Sequence, residues 1–299
     1  MRKEQGMDRR EFLKGSLAGT AAAAGLVPAG AAADATKDKA MLKLSSQENK
    51  IPGKDLHEKA TKLRQWGAVG IELFRQHMKD PRAVNEALKD TGVAVSAICA
   101  GYFGLIDPDK SVRQKGAAEL KDVCSAAGEV GSTGVIVVPA FNNHKQLPPK
   151  EARAVLVEEL PAIGEHAAKA GTRVLLEPLN RKEAFFLRLL ADAASICRDV
   201  NSPGVAMMGD FYHMFIEETS DLGAFLSAGK YLHHVHLATG VKRILPGQAP
   251  RDYAEGFRGL KMIAYHDYCS LECGVQGKAE EEIPKAFRFL AKQWEAAAA

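Results

Sequence analysis

Apolar residues in this chain fall into two alternating patterns. Short continuous runs recur at Val69 to Phe74, Val93 to Ile98, Val135 to Pro139, Val174 to Leu176, Ala206 to Gly209, Leu232 to Leu237 and Tyr265 to Glu272, with a weaker one at Met41 to Ser46. Runs of this length without polar alternation are the pattern of strands buried on both faces. Between them lie segments whose apolar positions recur at helical spacing. Lys54 to Trp66, for example, carries Leu56, Ala60, Leu63 and Trp66 and stops at Gly67. The same reading predicts helices over Pro81 to Leu88, Val112 to Glu129, Glu151 to Ala170, Asp192 to Val200, Leu222 to Ala228 and Glu280 to Trp294, and a loop-rich basic segment over Val241 to Gly259. Eight strands alternate with helices and leave no room for a second core. The predicted fold is α/β, a (βα)8 TIM barrel. An open doubly wound sheet would need a Gly-rich phosphate loop after an early strand, and the sequence has none.

Four successive strands end on groups that carry chemistry. The fifth run ends on Glu177, the sixth on Asp210, the seventh on His236 and the eighth on Glu272, each separated from the next by about one strand–helix unit of roughly 30 residues. In a parallel barrel these tips face one pocket. Strand parity turns Leu175 inward with Glu177, and His234 inward one layer below His236, while His233 faces out. Three carboxylates and one imidazole make a mostly hard site, suited to Mn²⁺, Mg²⁺ or Co²⁺, with Zn²⁺ also compatible. Glu72, at the end of the second strand, is a further pocket candidate whose alternative role is a structural ion pair.

Composition narrows the class. The chain has 299 residues, 46% hydrophobic and 26% charged, enough for one barrel and a leader. With Lys+Arg 40 against Asp+Glu 37, the net charge is +3, which argues against a dedicated nucleic-acid surface. The five cysteines form no Cys-x-x-Cys pair and read as small buried hydrophobes.

At the N-terminus, Asp8-Arg9-Arg10-Glu11-Phe12-Leu13-Lys14 precedes a weakly apolar run from Gly15 to Val27 and then small residues ending at Ala33. The order of basic region, apolar segment and small-residue cleavage zone closely resembles a twin-arginine (Tat) export signal. The run is too short and too weakly apolar for a membrane span. The expected organisation is a signal peptide over residues 1–33 and a barrel over residues 34–299. The protein is expected to be exported, to the periplasm or the extracellular space, without stable membrane insertion.

The strand-end motifs carry a further resemblance. Glu177-Pro-Leu-Asn-Arg-Lys-Glu183, Asp210-Phe-Tyr-His213, His234-Val-His236 and Leu271-Glu272 resemble, in order and across nearly all of the mature chain, the sugar phosphate isomerase/epimerase family. This is the xylose isomerase-like barrel group that includes D-tagatose 3-epimerase. The resemblance implies one divalent metal, Mn²⁺ first, held by Glu177, Asp210, His236 and Glu272, with Glu177 and Glu272 as the acid/base pair. It also implies substrate contacts from Glu183, His213 and Arg243. The spacing of Arg243 from His236 is one residue longer than in the epimerases, and Lys242 is the neighbouring alternative. The implied reaction is isomerisation or epimerisation of a small sugar. It proceeds by proton abstraction next to a carbonyl through a metal-stabilised ene-diolate. A homodimer is compatible with the group.

Three other readings use the same residues. A 3-keto-glycoside lyase would share the enolisation and end in elimination. A secreted sugar-binding barrel would keep the pocket without catalysis. An endonuclease IV-type nuclease would need histidines at the ends of strands two and three, where the sequence has Glu72-Leu73-Phe74 and Ala100-Gly101-Tyr102.

Overall fold

The computed structural model describes residues 40–298. The predicted signal peptide, residues 1–33, lies outside the described residues. Eight strands alternate with helices: β1 Lys43–Ser46, α1 Leu56–Gln65, β2 Gly70–Phe74, α2 Pro81–Leu88, β3 Ala94–Gly101, α3 Lys110–Glu129, β4 Val135–Val137, α4 Pro149–Lys169, β5 Val174–Leu176, α5 Leu190–Val200, β6 Val205–Asp210, α6 Phe211–Glu217, α7 Asp221–Ala228, β7 Leu232–Leu237, α8 Ala254–Met262, β8 Tyr268–Leu271 and α9 Ala279–Ala296. Aspartates start the first three helices. Asp55, Asp80 and Asp109 each accept a hydrogen bond from a first-turn backbone N–H, satisfying a donor the helix leaves open.

All strand pairs are parallel, in the order β1-β8-β7-β6-β5-β4-β3-β2. The seam between β1 and β2 is held by a single bridge between Gln47 and Glu72 and by the Val69 N–H donating to Leu44 O at 2.9 Å. The eight strands therefore close into a barrel.

The barrel interior is divided. Ala97, Ile136, Leu175, Ala206 and Met208 form an apolar plug on the β3–β6 side. Toward β1, β2, β7 and β8, Ser45, Glu72, His234 and Ser270 are fully buried polar residues, and Ser45 Oγ lies 2.7 Å from Ser96 Oγ of β3, also fully buried. Outward-facing residues such as Val174, Leu176 and Val235 join the larger core under the helices. Strand parity is as the sequence predicted at Leu175, His233 and His234.

Two elements differ from the sequence reading. The segment Val241 to Gly259 was expected to be loop, yet helix α8 begins at Ala254 within it. Gly256 and Gly259 lower its intrinsic propensity, but packing requires them. A Cβ on Gly256 would lie 2.6 Å from the Phe211 ring, and one on Gly259 3.1 Å from Leu222 Cα. Helix α6, seven residues directly after β6, carried no separate signal, and Asp210 caps it.

Candidate active site and metal centre

The four strand-end groups meet. One ligand atom each from Glu177, Asp210, His236 and Glu272 lies within 4.8 Å of the other three. His236 Nδ1 is 2.8 Å from Glu272 Oε2 and 3.8 Å from Glu177 Oε1. Asp210 divides its oxygens between two tasks. Oδ1 accepts the Tyr212 N–H at 2.7 Å and starts α6, while Oδ2 faces the cluster.

His236 is held from beneath. Its Nε2 donates to Glu72 Oε2 at 2.8 Å, and His234 Nε2 donates to the same oxygen at 2.9 Å. The other Glu72 oxygen accepts from Gln47 Nε2 at 2.9 Å. A carboxylate only accepts, so each ring carries a proton on Nε2. That leaves His236 Nδ1 buried and without a hydrogen-bond partner among the described residues, turned toward two carboxylates.

Electrostatics in the cluster are uneven. Burial pushes the Glu177 carboxyl above its usual range, and neighbouring Glu272 adds to that. Burial acts on Glu272 too, but His236 and then Arg243 outweigh it and hold this carboxyl at about 2. Burial would lower His236, yet Glu72 and Glu272 raise it well above 6.5. For His234 burial prevails and its pKa falls. The site thus favours a positive charge at His236 Nδ1. A cation coordinated there by the ring and three carboxylates answers the same demand, so the residues present fit a divalent metal.

The residues expected to touch substrate gather around this cluster. Arg243 Nη2 donates to Asp210 Oδ2 at 2.8 Å and to Glu272 Oε2, and its guanidinium lies 4.8 Å from the Tyr212 ring centroid. Its backbone is left-handed, with φ 47°. The Gly274 N–H donates to Arg243 O at 2.7 Å, which pins the loop after β7 to the loop after β8. Lys242 is exposed and makes none of these contacts. His213, on α6, places Nε2 3.5 Å from Asp210 Oδ2. Glu183 Oε1 lies 3.9 Å from His213 Nδ1.

Asn180 had no role in the sequence reading. Fully buried, it donates from Nδ2 to both His213 Nδ1 (2.7 Å) and Glu183 Oε1 (2.8 Å), while its Oδ1 accepts the Lys182 N–H at 3.0 Å. Its position midway between Glu177 and Glu183 was visible, but nothing in the sequence told which neighbour it would meet. Tyr212, under Arg243, was likewise legible only as the residue after Phe211.

Comparisons with known proteins identify the barrel and the leader. A family model described as xylose isomerase-like TIM barrel matches residues 60–293. One described as the twin-arginine translocation pathway signal sequence matches residues 6–26. The chain is 30% identical over 257 residues to the 3-dehydro-D-guloside 4-epimerase of Escherichia coli (strain K12), covering 83% of this chain and 97% of that protein. It is 27% identical over 237 residues to an L-ribulose 3-epimerase of Mesorhizobium japonicum, covering 76% and 79%. Among solved structures, the apo form of a 3-keto-D-glucoside 4-epimerase from E. coli is similar with a TM-score of 0.76 at 28% identity, over 84% of this chain and 100% of that one.

Proposed function

This chain belongs to the xylose isomerase-like TIM barrel family, and from that premise we propose that it epimerises the carbon next to the ketone of a keto-sugar carried as a glycoside. The isomerase/epimerase class follows from relatives that are keto-sugar 4- and 3-epimerases. The glycoside follows from the 3-dehydro-D-guloside relative, whose similarity runs through almost the whole of that protein. The single observation that carries the mechanism is the meeting of Glu177 and Glu272, from β5 and β8, at His236 Nδ1.

Glu177, Asp210, His236 and Glu272 would hold the metal, with Mn²⁺ as the first candidate. A divalent ion there supplies Lewis acidity to the carbonyl and hydroxyl oxygens of the substrate. One glutamate takes the proton from the carbon beside the carbonyl, and the other returns one from the opposite face. His213 presents its Nε2–H to a substrate oxygen, with Asn180 and Glu183 fixing the ring from behind. Arg243 sets a second donor over the same pocket.

Deuterium exchange tests this reading. The metal-loaded protein is incubated in D₂O with a panel of 3-keto-glucosides and free ketoses, and NMR follows both exchange and configuration. Exchange with inversion next to the ketone is expected. Released aglycone would replace epimerisation by elimination, and no exchange with any sugar would favour a binding role.

The signal similarity at residues 6–26 supports export of the barrel. In this proposal residues 1–33 are removed and residues 34–299 act in the periplasm or outside the cell. Among the described residues no helix is long and apolar enough to cross a membrane. Arg9→Lys with Arg10→Lys should retain precursor in the cell, read by fractionation and blot. Light scattering tests the homodimer carried over from the family resemblance.

A further inference from the structure

Glu72 lies at the closure of the barrel, on the β2 side of the seam. It is fully buried, one layer beneath the four-residue cluster, and it is not part of that cluster. Both of its oxygens are occupied. Gln47 takes Oε1, and the two imidazoles of β7 share Oε2. Separations of 2.8 and 2.9 Å are donor–acceptor distances, so Glu72, His234 and His236 form a hydrogen-bonded set and not a second cation site.

An isolated imidazole can carry its proton on either nitrogen and can turn about its outer bond. At His236 both freedoms matter, because only one arrangement presents a lone pair to Glu177 and Glu272. A carboxylate beneath Nε2 removes them. With a cation held among Glu177, Asp210 and Glu272, the Nδ1–H form would aim a proton at that cation and set the Nε2 lone pair against the Glu72 carboxylate, whereas the Nε2–H form satisfies both sides of the ring. A negative charge behind the ring also makes the opposite nitrogen a stronger donor to a metal.

We propose that Glu72 is a positioning residue. Its carboxylate, shared between His234 and His236, holds the His236 ring with Nδ1 turned into the carboxylate cluster and tightens the grip of that cluster on a divalent cation. The proposal rests on the metal reading above. His234 takes the second share of Oε2 without facing the cluster. Gln47, the residue after β1, anchors the carboxylate, so this arrangement depends on the same seam that closes the barrel.

The test measures Mn²⁺ affinity by chelator competition for the wild type, Glu72→Gln and His234→Gln. Glutamine keeps an acceptor for both rings and loses the charge. Glu72→Gln is expected to weaken Mn²⁺ about 10- to 100-fold, while His234→Gln stays within about threefold because Glu72 then serves His236 alone. A Glu72→Gln affinity within about threefold of wild type, or equal weakening in both variants, overturns the proposal and leaves Glu72 a packing residue. A second measurement needs no variant. In ¹⁵N-histidine-labelled, Mg²⁺-loaded wild type, His236 should carry its proton on Nε2 and the ion on Nδ1, and the reverse assignment overturns the proposal. Wild type that binds neither ion would remove the metal reading and this proposal with it.

Discussion

Asn180 Nδ2 lies 2.7 Å from His213 Nδ1 and donates to it. The backbone N–H of Asn180 points at the same nitrogen, at 3.2 Å. Nδ1 is therefore an acceptor, and the ring proton is on Nε2, on the side of Asp210. The residue that sets the polarity of His213 sits in the loop after β5, while the histidine itself sits on α6.

That polarity can be reversed without changing shape. Asn180→Asp replaces a donor by an acceptor against both His213 Nδ1 and Glu183 Oε1. We expect kcat/KM to fall about 10- to 100-fold, the loss of about 1.5–3 kcal/mol that an ionic hydrogen bond contributes, with metal content unchanged. Unaltered kinetics would show that His213 does not act as an Nε2–H donor.

Asp210→Asn and His236→Ala should lose stoichiometric metal. Glu177→Gln and Glu272→Gln should lose activity. Metal bound to the native state should raise the melting temperature of the wild type by mass action, and a chelator should remove the gain. Full metal content in both Asp210→Asn and His236→Ala, measured by elemental analysis, would show that the ligand set is wrong.

Arg243→Ala should keep the metal and lose substrate handling by about 1.5–3 kcal/mol, read as kcat/KM. Arg243→Lys should not restore it fully, because an ammonium has no planar face to lay over the Tyr212 ring as the guanidinium does. Lys242→Ala should be neutral.

Glu48 predicts a pH dependence of stability. His77 Nε2 lies 2.7 Å from one of its oxygens and Lys59 Nζ 2.8 Å from the other. His77 foremost, with Lys59, holds this carboxyl at about 2 against the opposing effect of burial. Because the folded pKa is depressed below the ordinary 4.5, the stabilisation is complete above about pH 4.5 and is lost as pH falls toward about 2. Glu48→Gln should cost about 1–3 kcal/mol near neutral pH, shrinking steadily on acidification. A cost that stays constant down to about pH 3 would contradict the assignment.

Two glycines separate packing from propensity. A Cβ on Gly204 would stand 1.9 Å from Gly164 O, where the turn before β6 meets α4. Gly204→Ala should cost about 1–3 kcal/mol or more and lower the melting temperature by several degrees. Gly223, exposed on α7, has nothing nearer than 3.6 Å. Gly223→Ala should be neutral or stabilise by about 0.5–1 kcal/mol. Equal losses at both sites would mean that the close approach at Gly204 is not what matters.

The barrel and the four groups at its strand tips were legible in the sequence because both rest on local periodicity. Continuous apolar runs bury on two faces, intervening segments repeat at helical spacing, and a parallel barrel brings every strand end to one side. Parity along single strands then placed Leu175, His233 and His234 correctly. Helix α8 was not legible, since Gly256 and Gly259 argue against a helix until Phe211 and Leu222 are seen pressing on them. Nor were the partners of the site residues. The carboxylate of Glu72 lies 162 positions from His234 and 164 from His236, and Asn180 meets His213 from 33 positions away. Nor was it legible that Arg243, rather than Lys242, would reach Asp210 and Glu272. Sequence determined which chemical groups reach the pocket, because that follows from the period of each strand. Only the tertiary structure decided which atom of each group faces inward, because that depends on hydrogen-bond partners delivered by distant segments.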